Sequence, residues 1–167
     1  MTLDDAVRDR QTLAAQLFDA LAAGTSDGIG ITRASYGEGE AFACMTFAKF
    51  ADELGMAVDT DAAGNLFMTL AGRDRTAPPV VIGSHLDSVA QGGNFDGAAG
   101  VVSGLVACAA LMDAGITPTR DVRVMGIRAE ESAWFGVSYI GSRAALGQLP
   151  AGALANDKRA DTGVSLA

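Results

Sequence analysis

Leu3, Ala6, Val7, Leu13, Leu17, Phe18 and Leu21 recur at the spacing that lines one face of an α-helix. Thr2 followed by Asp5 has the form of a capping box, so the pattern predicts one amphipathic helix running to Gly24. A glycine-rich connection, residues 24–39, leads to a second predicted helix over about residues 40–54. Its inward stripe is Phe42, Met45, Phe50 and Leu54, and Gly55 supplies the stop.

The period then shortens. Residues 56–60 and 65–70 are two extended runs separated by Asp61, Ala62, Ala63 and Gly64, which predicts a hairpin. Pro78 and Pro79 open Val80, Val81 and Ile82, a continuous apolar run of the kind buried on both faces of a sheet. Residues 97–114 alternate small and large apolar side chains and carry no charge before Asp113, predicting a buried helix that ends at Gly115. Residues 121–127 form another strand and residues 138–146 another helix. The order strand, helix, strand, helix predicts an α/β fold whose mixed, mostly parallel sheet is flanked by helices on both faces.

Composition narrows the function classes. Among 167 residues, 12 Lys plus Arg against 20 Asp plus Glu give a formal net charge of −8, which argues against nucleic acid as a partner. The longest apolar stretch, residues 100–112, falls short of the roughly 20 residues of a membrane span, so no membrane partner is expected. Residues 1–10 mix acidic and basic side chains without an apolar run, so no secretory signal is read there and a cytoplasmic location is expected. Cys44 and Cys108 each sit in an apolar helical pattern and are expected to be free, buried thiols.

In α/β sheets, ligands gather where strands end. One strand runs into GSHLDSVAQGGNFDG, residues 83–97, and the other into AEESAWF, residues 129–135. His85 and Asp87 are two apart and share a face on an extended chain, so the carboxylate can fix one imidazole nitrogen and leave the other free for a metal. Gly92 and Gly93 allow a tight return that brings Asp96 back beside His85. Glu130 and Glu131, adjacent at a strand end, are expected to point in different directions, one to a metal and the other to a water. So many carboxylates around one histidine call for a compensating cation. Each piece alone also fits a structural role, and the pattern by itself leaves a metal site and a structural cluster both standing. A phosphate-binding loop is excluded, because GGNFDGAAG lacks its Lys and Ser or Thr.

GSHLDSVAQGGNFDGAAGV followed by AEESAWFGVSYIGSRAALG resembles the zinc-dependent amidohydrolase and exopeptidase family that includes N-carbamoyl-L-amino-acid hydrolases, allantoate amidohydrolases, ureidopropionase-type enzymes, aminoacylases and carboxypeptidase G. DAAGNLFMTLAG, residues 61–72, is similar to the hairpin before that family's first metal motif, and the carbamoylase and allantoate branch is the nearest in pattern. The resemblance implies two divalent ions, zinc first, with manganese, cobalt or nickel as substitutes. His85 would bind one, Asp96 would bridge both and Glu131 would bind the other. Glu130 would be the general base and Asp87 the partner of His85, and the Asp96–Gly97 peptide would be cis. The implied reaction is hydrolysis of a non-peptide or terminal C–N bond in a small N-carbamoyl or N-acyl amino acid. Trp134 stands where that branch commonly carries a basic residue, and a packing role is expected for it.

The family pattern also needs later histidines, and this sequence has one. The chain is therefore expected to be the amino-terminal part of the catalytic domain, without the lid or dimerisation domain. Catalytic zinc usually has three protein ligands, so weak or absent zinc binding and negligible hydrolysis are expected of the chain alone. A homodimer is implied for the full-length form, with self-association of the exposed strand faces here. The alternative is a non-catalytic remnant or binding module that keeps the fold.

Overall fold

The computed structural model describes all 167 residues. Its centre is a four-stranded sheet of β1 (Ala57–Thr60), β2 (Leu66–Leu70), β3 (Val80–His85) and β4 (Val122–Ile127), in the order β1-β2-β4-β3. The hairpin forms as the alternation requires, with Ala57 opposite Thr69 and Thr60 opposite Leu66. β2 is antiparallel to β4, and β3 is parallel to β4 with Val80 opposite Val122 and His85 opposite Ile127. The sheet is thus mixed and flanked by helices, as expected, although only one of its three strand pairings is parallel and the core helices α2, α3 and α4 pack on one face rather than both.

The helices are α1 (Leu3–Asp9), α2 (Gln11–Thr25), α3 (Glu38–Glu53), α4 (Ala98–Asp113), α5 (Ser132–Phe135), α6 (Ile140–Ala145) and α7 (Ala153–Asn156). The expected first helix is two. Thr2 and Asp5 make the capping box, but the chain leaves helical geometry at Arg10, whose guanidinium forks onto Asp113 at the far end of α4 (2.5 and 2.7 Å). α4 is the buried helix the sequence called for, and Gly115 follows it with a positive φ of 68°. α5 and α7 had no clear periodic signal, being four residues each.

Leu17 and Leu21 of α2, Phe47 of α3 and Val101 and Leu105 of α4 form one core with Leu66 and Met68 of β2 and Val124 of β4. That core lies against one face of the sheet. The expectation that residues 80–82 are buried on both faces fails: Val81 is 52% exposed, because it pairs with Arg123 on the face of the sheet opposite the core that Ile82 and Val124 join. The stripe assigned to α3 is also rotated. Glu40, Ala43, Phe47 and Ala51 are its buried positions, and Met45 is 64% exposed. The rotation follows from Glu40, an acid drawn inward by charged partners described below, which a hydrophobic pattern does not register. Both cysteines are free, and burial pushes each thiol up to about 11, so neither is a nucleophile near neutral pH.

Candidate active site

His85 ends β3, and its imidazole is fixed from the Nδ1 side. The backbone carbonyl of Asp87 lies 3.0 Å from Nδ1 and the Asp87 carboxylate 3.4 Å, so Nδ1 carries a proton and Nε2 faces Asp96 and Glu130. Burial pulls the imidazole pKa down, but the bonds to Asp87 and the charge of Glu130 outweigh it and leave the group at about 9. Asp87 is fully buried and accepts from Ser35 Oγ (2.6 Å) and from the backbone N–H groups of Glu130 (3.1 Å) and Glu131 (3.0 Å). Burial acts to raise its pKa, yet His85 and these donors together hold it below the usual carboxylate value.

Asp96 returns to His85 as the loop glycines suggested, with Oδ1 3.8 Å from Nε2, although its side chain is 58% exposed. The expected cis bond is absent: the Asp96–Gly97 peptide is trans. Gly97 makes the turn into α4 through a φ of 65° instead, so no isomerised peptide is needed. A Cβ at Gly97 would stand 2.5–2.6 Å from three ring atoms of His85. Gly97→Ala is therefore expected to displace the imidazole. It should also cost stability, because φ 65° with ψ −53° is a conformation that residues with a Cβ rarely adopt. The ring nitrogen signals of the single histidine, with a urea unfolding curve beside them, check both effects.

Glu130 and Glu131 follow β4 and are set by three interactions upstream. Glu40, fully buried, accepts from Arg128 Nε (2.6 Å), Ala129 N (2.8 Å) and Tyr36 N (2.7 Å), and the Arg128 guanidinium lies 4.9 Å from the centre of the Tyr36 ring. Asn65 accepts from Arg128 N (2.9 Å) and donates to the carbonyl of Gly141 (3.0 Å). Ala129 takes a left-handed φ of 51°, and Asp87 holds the next two amides, so the chain doubles back tightly at the glutamates. The two side chains consequently do not diverge as the sequence suggested. One carboxylate oxygen of each and one imidazole nitrogen of His85 lie within 4.8 Å of one another. Glu130 Oε2 is 3.8 Å from Nε2. Burial raises the pKa of Glu131, and Asp87, Asp96 and Glu130 add to it against the opposing pull of His85.

All five residues singled out in the sequence, His85, Asp87, Asp96, Glu130 and Glu131, thus meet at the carboxyl ends of β3 and β4. The donor set is one imidazole nitrogen and several carboxylate oxygens, which suits a divalent cation such as zinc. Burial first, and then the charges of Asp87, Asp96 and Glu130, raise Glu131, while Asp87 and Glu130 raise His85 against burial, and a bound cation would relieve the carboxylate part of both. Trp134 is half-buried and donates from Nε1 to the carbonyl of Ser88 (2.7 Å), joining the two strand-end segments. Sequence reasoning missed Arg33, Ser35, Glu40, Asn65 and Arg128. Their only signal was charged or polar side chains inside segments read as a loop, a helix start, the start of an extended run and a strand end.

This helix-covered mixed sheet matches the catalytic-domain architecture of the carbamoylase and M28 peptidase-like hydrolases. The chain belongs to peptidase family M28, whose model matches residues 65–159. It is 40% identical over 138 residues to an N-carbamoyl-L-amino acid amidohydrolase of Geobacillus stearothermophilus, a match covering 83% of this chain and 33% of that protein. It is 33% identical over 113 residues to a ureidoglycolate hydrolase of Oryza sativa subsp. japonica, covering 68% of this chain and 23% of that protein. Among solved structures, a hydantoinase/carbamoylase family amidase from Burkholderia ambifaria superposes with a TM-score of 0.81 at 35% identity. That match covers 92% of this chain and 38% of the other. The chain spans about a third of the length of the curated relatives it matches.

Proposed function

We propose that these residues carry part of the centre of a metal-dependent amidohydrolase that cleaves the C–N bond of small N-carbamoyl or N-acyl amino acids. The observation that carries this reading is the meeting of His85, Glu130 and Glu131 within 4.8 Å, with Asp96 3.8 Å from the imidazole. His85 through Nε2, Asp96 and Glu131 would hold two divalent ions, zinc foremost, with Asp96 shared between them. Bound there, the ions would activate a water and polarise the scissile carbonyl.

The chain's own residues account for the rest. Asp87 keeps the proton on Nδ1, so Nε2 is the nitrogen left to bind a metal once the imidazolium gives up its second proton. Glu130 takes the proton from the attacking water and returns it to the leaving nitrogen. His85 and Asp96 would give one ion two protein ligands, and Asp96 and Glu131 would give the other two, where catalytic zinc usually has three. The chain alone is thus expected to turn over negligible substrate. The remaining ligands and the groups that grip the substrate carboxylate would come from the other parts of a complete enzyme.

The reading is tested by a chimaera in which residues 1–167 replace the matching third of the Geobacillus stearothermophilus relative. Zinc-dependent hydrolysis of N-carbamoyl-L-amino acids is expected. A folded, zinc-loaded chimaera without turnover would leave the non-catalytic binding module as the better account.

A further inference from the structure

Arg33, between α2 and α3, is the one fully buried arginine of the chain, and no step above uses it. Its Nε donates to the carbonyl of Leu86 (2.7 Å) and its Nη2 to the carbonyl of Asp96 (3.1 Å). Its backbone N–H donates to Ser88 Oγ (2.9 Å), and Ser88 N donates back to the Arg33 carbonyl (2.8 Å). Leu86 directly follows His85, and Asp96 lies ten positions further along a loop that contains Gly92 and Gly93. One guanidinium therefore staples the two ends of the loop on which the histidine and the returning aspartate sit.

We propose that Arg33 is a positioning residue of the metal centre, holding the Asp96 carboxylate against the His85 imidazole by clamping the carbonyls of Leu86 and Asp96. This rests on the amidohydrolase reading for its purpose, but not for its geometry. A glycine-containing loop does not fix its own ends. A planar fork reaches two carbonyls at set angles, as a single ammonium group does not. Stability alone is a poor reason to keep this side chain. Its Nη1 is buried without a protein partner, and an imperfectly paired buried charge is costly. The clamp also explains how the exposed Asp96 side chain comes to rest 3.8 Å from Nε2 without a hydrogen bond to its own carboxylate fixing it there.

The test uses the ¹⁵N-labelled 167-residue chain, first without metal. Its single histidine gives one pair of ring nitrogen signals. In the wild type, the Arg33 Nε–H is expected to exchange with solvent at least about a hundredfold more slowly than that of the exposed Arg8. Free exchange there overturns the clamp without any variant being needed. In Arg33→Lys and Arg33→Gln, the His85 ring signals should move and exchange at Gly97 and Ala98 should quicken by at least about tenfold, with the amides of Phe47 and Met68 unchanged. A folded variant with wild-type His85 signals and wild-type exchange at residues 97–98 overturns the proposal. Zinc added to the wild type then separates the two readings. If His85 fails to respond although the clamp is seen, zinc content of the folded chimaera decides: a chimaera that takes up no zinc ends the metal reading and leaves the placement of Asp96 by Arg33 standing.

Discussion

Glu130→Gln in the chimaera should lower kcat by about 10²–10⁴-fold, the usual contribution of a positioned general base, with little change in KM. The amide keeps the size and the half-buried position of the glutamate but cannot take a proton from water. Glu131→Gln should act differently, removing a charged ligand and weakening zinc uptake before turnover is measured. The contrast matters because the structure brings both carboxylates within 4.8 Å of the imidazole nitrogen, so geometry alone does not divide their roles. Kinetics and zinc content of the two variants, measured side by side, make the division. Loss of zinc in Glu130→Gln with a slow but fully loaded Glu131→Gln would reverse the assignment.

Glu40→Ala is expected to destabilise the chain by about 3–5 kcal/mol, the range for breaking a buried ion pair from one side. Glu40 is fully buried and burial already raises its pKa, so its carboxylate persists because Arg128, Ala129 N and Tyr36 N surround it. Alanine leaves the Arg128 guanidinium and two amides without their acceptor. Glu40→Gln keeps an acceptor oxygen and should lose less. Urea unfolding midpoints give the comparison, and a loss below about 1 kcal/mol for the alanine variant would show that the network is dispensable. Because the same carboxylate anchors Ala129, the variant should also loosen the turn that carries Glu130 and Glu131.

The elements that place the site were legible from pattern. Alternation marked the hairpin and β4, and the uncharged run before Asp113 marked α4. The five residues at the strand ends were legible too, because a His-x-Asp pair, a glycine-spaced aspartate and adjacent glutamates all fall where strands stop. What holds them was not. Arg33, Ser35, Glu40 and Asn65 act across 52 to 88 positions of sequence, and a buried charge reads locally as a solvated one. Met45 was placed inside for the same reason: hydrophobicity alone chose the face of α3, whereas the ion pair of Glu40 with Arg128 set its rotation. The trans peptide at Gly97 shows a further limit, since a positive φ and a cis bond are two ways to make one turn and composition favours neither.

The central claim is that His85 and the carboxylates around it form a cation site, and a zinc titration read on the nitrogen signals of the single histidine tests it most directly. The expected result is a progressive shift at Nε2 with an affinity weaker than micromolar, as too few protein ligands dictate, and its loss in Glu131→Gln. A His85 response that is indifferent to Glu131, or a folded chimaera that takes up no zinc, would contradict the account.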